Sequence, residues 1–136
     1  MTRFFSTSNF RNDLAELLKV RRNVYAGIEK EIYDEFTDCP IERIRNNRDM
    51  ILIEGDSIVI KLRLPDKKQR KSRKDGYRLI YLVAKDTDMV TFMSVYPKNG
   101  PCQKIDTSKE ELKLLMNQFI MEFSSDLLMP YQPLSQ

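Results

Sequence analysis

The sequence predicts an α+β domain in which helices pack on an antiparallel sheet and a final helix closes the chain. Three observations lead there. Apolar residues recur at helical spacing twice in the first forty residues, four β-prone runs lie between Met50 and Tyr96, and a capping box precedes a last amphipathic stretch. The 136 residues are about the length of one domain, so 1–136 reads as a single unit.

Taken in order, Thr2 to Ser6 suits a short strand, and Ser6, Thr7, Ser8 and Asn9 offer N-caps for a helix. Phe10, Leu14, Leu17 and Leu18 form one apolar stripe, predicting a helix to about Arg22. Val24, Ile28, Ile32 and Phe36 form a second, predicting a helix to about Thr37 that stops near Pro40. Joined by few residues, the two read as an antiparallel hairpin. Met50–Ile53 and Ile58–Leu64 flank Glu54, Gly55, Asp56 and Ser57, a turn-forming cluster, and so read as a β-hairpin. In its second arm Ile58, Ile60, Leu62 and Leu64 alternate with Val59, Lys61 and Arg63, which sets Lys61 and Arg63 side by side on the face opposite the core. The polar stretch DKKQRKSRKDG, bounded by Pro65 and Gly76, reads as a mobile loop. Tyr77–Ala84 and Met89–Tyr96, joined by Lys85 to Asp88, are nearly continuous apolar runs that suit central strands. Ser108 and Glu111 cap a helix carrying Leu112, Leu115, Met116, Phe119 and Phe123. Residues 124–136, with Pro130 and Pro133, read as a flexible tail. Helices on one sheet face would leave the other face, where Lys61 and Arg63 point, open to a ligand.

Composition narrows the chemistry. There is no histidine, so His-dependent triads are excluded and the commonest metal ligand is missing. The remaining groups, Lys, Arg, Tyr and carboxylates, suit phosphate chemistry better than acyl transfer. Cys39 and Cys102 have no CxxC spacing and read as idle thiols in a reducing compartment. No apolar run reaches the roughly 20 residues of a membrane span, and the first residues lack the apolar stretch of a secretory signal, so a cytoplasmic protein without membrane contact is expected. The net charge of +3 conceals an asymmetry. Lys61 to Arg78 contains nine basic and two acidic residues, a net of +7, while the rest carries 14 basic and 18 acidic, a net of −4. A basic segment on a mildly acidic body is the footprint of a polyanion site, with a solvated surface loop as the alternative.

Read together, SIVIKLRLP, the basic loop, DGYRLIYLV, VTFMSVYPKN and the capped last helix resemble the RelE/HigB-type toxins of type II toxin–antitoxin systems, within the RelE/ParE superfamily. The resemblance covers Phe4 to Phe123 in element order and is concentrated between Ile58 and Asn99. It implies a compact RelE-like fold of the microbial RNase kind, a cognate antitoxin partner, and cleavage of mRNA, usually on the ribosome, to stop translation. The implied enzyme is a metal-independent endoribonuclease without cofactor, in which a ribose 2′-hydroxyl attacks the adjacent phosphate.

Carried over by position, Lys61 and Arg63 match the paired basic residues that hold the phosphate or help activate the 2′-hydroxyl. Arg78 matches the arginine of GYR, which stabilises charge in the transition state, and Lys98 matches the basic residue after the last strand. The longer loop adds Lys67, Lys68, Arg70, Lys71, Arg73 and Lys74 as RNA contacts. No tyrosine closely follows Lys98, so the general acid has no candidate. Each residue also has a structural reading: Lys61 and Arg63 as outward strand residues, Arg78 as an ion-pair partner for a helix carboxylate, Lys98 as a turn lysine. Tyr77, Tyr81 and Tyr96 read as core aromatics, and Glu29, Glu31, Asp34 and Glu35 as the solvated face of the second helix. Two other functions fit the same fold: a ParE-like inhibitor of DNA gyrase, and a noncatalytic RNA-binding module.

Overall fold

The computed structural model describes residues 2–47, 49–84 and 86–134. Its elements are β1 (Arg3–Ser6), α1 (Ser8–Leu18), α2 (Ile28–Phe36), α3 (Ile41–Arg45), β2 (Met50–Glu54), β3 (Ser57–Leu64), β4 (Tyr77–Ala84), β5 (Met89–Pro97), α4 (Lys109–Ser124) and β6 (Met129–Pro130). Single 3-10 turns occupy Arg21–Asn23, Lys67–Gln69 and Gln132–Leu134. The architecture is α+β. Of the turn expected over Lys85 to Asp88, Lys85 lies outside the described residues.

The predicted strands form, within one sheet of order β2-β3-β4-β5-β1-β6. Pairing is antiparallel except between β1 and β5, which run parallel. The sheet is therefore mixed, where the sequence predicts a purely antiparallel one. The first helix stops at Leu18, short of Arg22. Arg22 and Asn23 take positive φ, which breaks the helical path before α2. Thr7 caps α1 by accepting from Phe10 N at 3.3 Å. The short α3 is an addition to the predicted elements, and it buries Ile44 alone.

Both faces of the sheet carry helices, which corrects the expectation of one covered face. On the first, Phe10, Leu17, Ile28, Ile32, Phe36 and Ile44 from α1–α3 pack on Ile60, Leu62, Tyr81 and Phe92. On the second, Leu115 and Met116 of α4 pack on Val59, Ile80, Leu82 and Met93. The capping box forms as predicted, with Ser108 Oγ accepting from Glu111 N at 3.1 Å and Glu111 Oε1 accepting from Ser108 N at 3.2 Å. Phe123, expected on the buried stripe, points outward and is 57% exposed.

The tail does not hang free. β6 pairs with β1, Tyr131 N donates to Phe4 O at 3.0 Å, and the Tyr131 ring packs edge-on against Phe92 at 5.0 Å. Residues 135–136 lie outside the described residues. Tyr131 is thereby a core residue, its hydroxyl pushed well above the usual phenol range by burial. No described helix is long and apolar enough to cross a membrane.

The basic loop, expected to be mobile, is tied to the body by hydrogen bonds. Asp66 is buried and accepts from Tyr77 OH at 3.0 Å, Gln69 Nε2 at 3.0 Å and Gln69 N at 3.3 Å, while its backbone exchanges hydrogen bonds with Lys71. The loop returns to β4 through Gly76, where a Cβ would overlap the Leu64 carbonyl oxygen and lie 2.9 Å from the Pro65 carbonyl carbon. Gly76→Ala is therefore expected to cost on the order of 3 kcal/mol or more, because backbone must shift to admit the methyl. A thermal melt checks this: the midpoint should fall by roughly 10 °C, and an unchanged midpoint would contradict the close approach.

Candidate functional site

The register of the central strands brings the predicted basic residues to one corner of the second sheet face. Arg63 pairs with Arg78, and Arg78 with Tyr96, while Lys61 lies two residues from Arg63 on the same face. Beside them, toward the other end of β3–β5, this face is apolar and covered by α4. The charged corner lies where that cover ends.

Arg78 is 7% exposed. Its Nη1 donates to the carbonyls of Arg73 at 3.0 Å and Tyr77 at 3.2 Å, and its Nη2 to that of Lys74 at 2.9 Å. The partners are backbone carbonyls, two in the basic loop and one at the start of β4, not the helix carboxylate of the structural reading. A guanidinium has five N–H donors, so two remain for a ligand. Burial, and then the neighbouring Arg63, hold the Arg78 pKa below the usual guanidinium range. A buried cation beside a second cation favours an anion next to it.

Lys61 Nζ is 2.7 Å from Asp106 Oδ1, and this hydrogen bond keeps the Asp106 carboxyl below the usual range. Lys98 Nζ donates to the Ile105 carbonyl, and Thr107 Oγ1 donates to Tyr96 OH at 3.1 Å. Lys104 sits 4.9 Å from the centroid of the Tyr96 ring and pairs with Glu111. The connection between β5 and α4 thus lies against the corner and engages Lys61, Lys98 and Tyr96 through three consecutive residues, 105–107. Tyr96 is buried as expected, yet its hydroxyl belongs to this corner. Strand alternation alone sets Tyr96 opposite Met93, three residues before it; the register shift between Ile80 and Tyr81 brings both to the face of Ile80, so the sequence carried no signal for this placement.

The loop cations divide into two groups. Lys67 Nζ lies 3.7 Å from Asp34 and 3.8 Å from Glu31, and Arg73 Nη1 lies 2.6 Å from Glu35. Glu31 is buried and also accepts from Lys67 N at 2.7 Å, so α2 presents a docking edge for the loop where a solvated face was expected. Lys68, Arg70, Lys71 and Lys74 form no ion pair among the described residues. No three His, Cys, Asp or Glu side chains gather to hold a metal ion among the described residues.

The structure is similar to the crystal structure of the isolated E. coli RelE toxin, with 20% sequence identity, coverage of 86% of this chain and 98% of that one, and a TM-score of 0.40. No protein-family model and no curated protein matches the sequence.

Because Arg78 holds the Arg73 and Lys74 carbonyls, Arg78→Ala is expected to loosen the loop while the sheet stays folded. Limited trypsin digestion checks this: cleavage after Lys71, Arg73 and Lys74 should accelerate in that variant and not in Lys61→Ala. Equal rates would remove Arg78 as the loop's anchor.

Proposed function

We propose that this chain is a toxin of the RelE/HigB type, a metal-independent endoribonuclease that cleaves mRNA and is neutralised by a cognate antitoxin. The observation that supports it is the convergence of Lys61, Arg63, Arg78 and Tyr96 on one sheet corner, in a chain without histidine. The β3–β5 segment that resembles this family is the one that builds the corner.

In this reading the scissile phosphate binds where the two remaining Arg78 donors and the Lys61 ammonium converge. The ribose 2′-oxygen attacks phosphorus, the bond from phosphorus to the 5′-oxygen breaks, and a 2′,3′-cyclic phosphate and a 5′-hydroxyl result. Arg78 stabilises the charge that grows on the non-bridging oxygens, which a buried cation does more strongly than an exposed one. Lys61 leaves Asp106 for the phosphate and holds the attacking ribose close to it, and Arg63 and Lys98 bind the flanking phosphates. The proton of the 2′-hydroxyl passes by way of the Tyr96 hydroxyl, which accepts one proton and donates another, to the leaving 5′-oxygen. Lys68, Arg70, Lys71 and Lys74 extend the positive field along the strand or toward ribosomal RNA, whereas Lys67 and Arg73 chiefly fix the loop to α2.

Two outcomes test this. Mapping mRNA 5′ ends after brief induction in a bacterium should reveal new cuts within translated codons. These should fall at least a hundredfold in Lys61→Ala and in Arg78→Lys, which keeps the charge but loses the planar fork. Growth arrest with uncut mRNA would instead favour a protein target such as gyrase and overturn the cleavage reading. Asp106→Asn, which frees Lys61 from a half-exposed ion pair, should tighten binding of uncleavable RNA by roughly twofold to fivefold in a fluorescence anisotropy titration.

A further inference from the structure

The sheet has an open edge on β3, beside the proposed catalytic corner. Lys61 N donates to Asp49 O at 3.0 Å, the last backbone bond among the described residues between β3 and the chain leading into β2. Beyond it no described strand pairs with β3 on this side, while β4 continues on the other to Leu64. Two residues on, the Arg63 carbonyl accepts from the Arg73 guanidinium at 2.8 Å instead. A groove of about 440 Å³ opens there, between this edge and the α2–α3 segment, with Arg43, Asn47, Arg63, Arg73, Lys74 and Tyr81 in its lining.

Its charge leans positive. Arg43, Arg73 and Lys74 line it against the carboxylates of Glu35 and Asp49, while Arg63 meets it through its backbone at the strand edge. Glu35 is spent on Arg73, whereas Arg43 and Lys74 make no ion pair among the described residues. Arg43 is exposed on α3, and its side chain makes no hydrogen bond among the described residues. The aromatic side chains in the wall, Phe36 and Tyr81, are buried and present no stacking surface, and the Tyr81 hydroxyl is already committed to Ile44 O at 2.9 Å. A pocket rich in uncompensated cations and without a stacking platform binds the sugar-phosphate backbone and not a base.

We infer that this groove receives the ribose-phosphate backbone of single-stranded RNA beside the cleaved step. The strand passes from the Lys61–Arg78 corner around the open edge of β3, with Arg43 and Lys74 holding phosphates farther along. This rests on the RNA-cleaving reading and adds a sequence-independent anchor to it.

The test uses the full chain and uncleavable 2′-O-methyl RNA of mixed sequence, as a trinucleotide and as a nonanucleotide, titrated by fluorescence anisotropy at several salt concentrations. Arg43→Gln should weaken the nonanucleotide severalfold, reduce its log K against log salt slope by about 0.7, and leave the trinucleotide within about twofold. Arg43→Glu should weaken the longer RNA further. Wild-type affinity of Arg43→Glu for the nonanucleotide would overturn the groove while leaving cleavage at the corner standing. A wild-type chain that neither binds nor cuts RNA would overturn both. Loss in Arg43→Glu of binding to an acidic protein partner, with RNA binding intact, would reassign the groove to that partner and overturn the inference.

Discussion

Asp66 carries a carboxylate into the interior, at 2% exposure, and the arrangement of the basic segment depends on how it is satisfied. A buried acceptor left unpaired costs about 1 to 3 kcal/mol, so its donors are held in place as firmly as it is. Tyr77 OH, Gln69 N and Gln69 Nε2 supply them, and Gln69 Nε2 reaches on to the Val24 carbonyl. Burial, and then the adjacent Asp66, push the Tyr77 hydroxyl above the usual phenol range, which keeps it protonated as the donor. From this point the chain has little freedom: Lys67 meets α2, Lys71 closes back on Asp66, Arg73 reaches Glu35, and Gly76 passes against Leu64. Arg78 enters β4 with the loop carbonyls already within its reach.

The two open edges of the sheet are treated differently, and that difference places the functional surfaces. β1 ends at Ser6, so β5 loses its neighbour beyond Phe92. There α1 substitutes side chains for a strand: Asn9 Nδ2 donates to Met93 O, and Asp13 accepts from Ser94 Oγ and Val95 N. Burial outweighs those bonds and raises the Asp13 pKa, a cost borne by the edge it closes. At the opposite edge β2 releases β3 after Lys61, and among the described residues the Arg73 guanidinium fills the next position. The closed edge serves packing; the other leaves a charged groove.

Much of this is legible in the sequence, and the failures share a cause. Alternation along Ile58–Leu64 places Lys61 and Arg63 on one face, and the Ser108–Glu111 box locates α4, because both signals are local. Amphipathicity shows that a helix packs but not against which face, so it cannot put α4 on the side of the sheet opposite α1–α3. The loop reads as mobile because its own residues are polar; its acidic partners Glu31 and Glu35 stand 36 and 38 residues away, on a helix whose charges look solvated. The parallel β1–β5 pair and the docking of Tyr131 likewise join distant parts of the chain. Pro40 caps α3, whose five residues are too few for a periodic signal.

Ion pairing also changes what the +7 segment means. Lys61, Lys67 and Arg73 are matched to Asp106, Glu31 with Asp34, and Glu35, so they contribute little field at a distance. Arg63, Lys68, Arg70, Lys71, Lys74 and Arg78 make no ion pair among the described residues, and they run from the sheet corner along the loop. The pairs differ in kind. Arg73 holds the weakly exposed Glu35 through both guanidinium nitrogens and fixes structure, whereas Lys61 holds a mostly exposed Asp106 that solvent can replace. A polyanion that reaches the corner therefore meets one cation it can take from its partner and several that have none. The acidic groups that neutralise the segment at rest leave that path open.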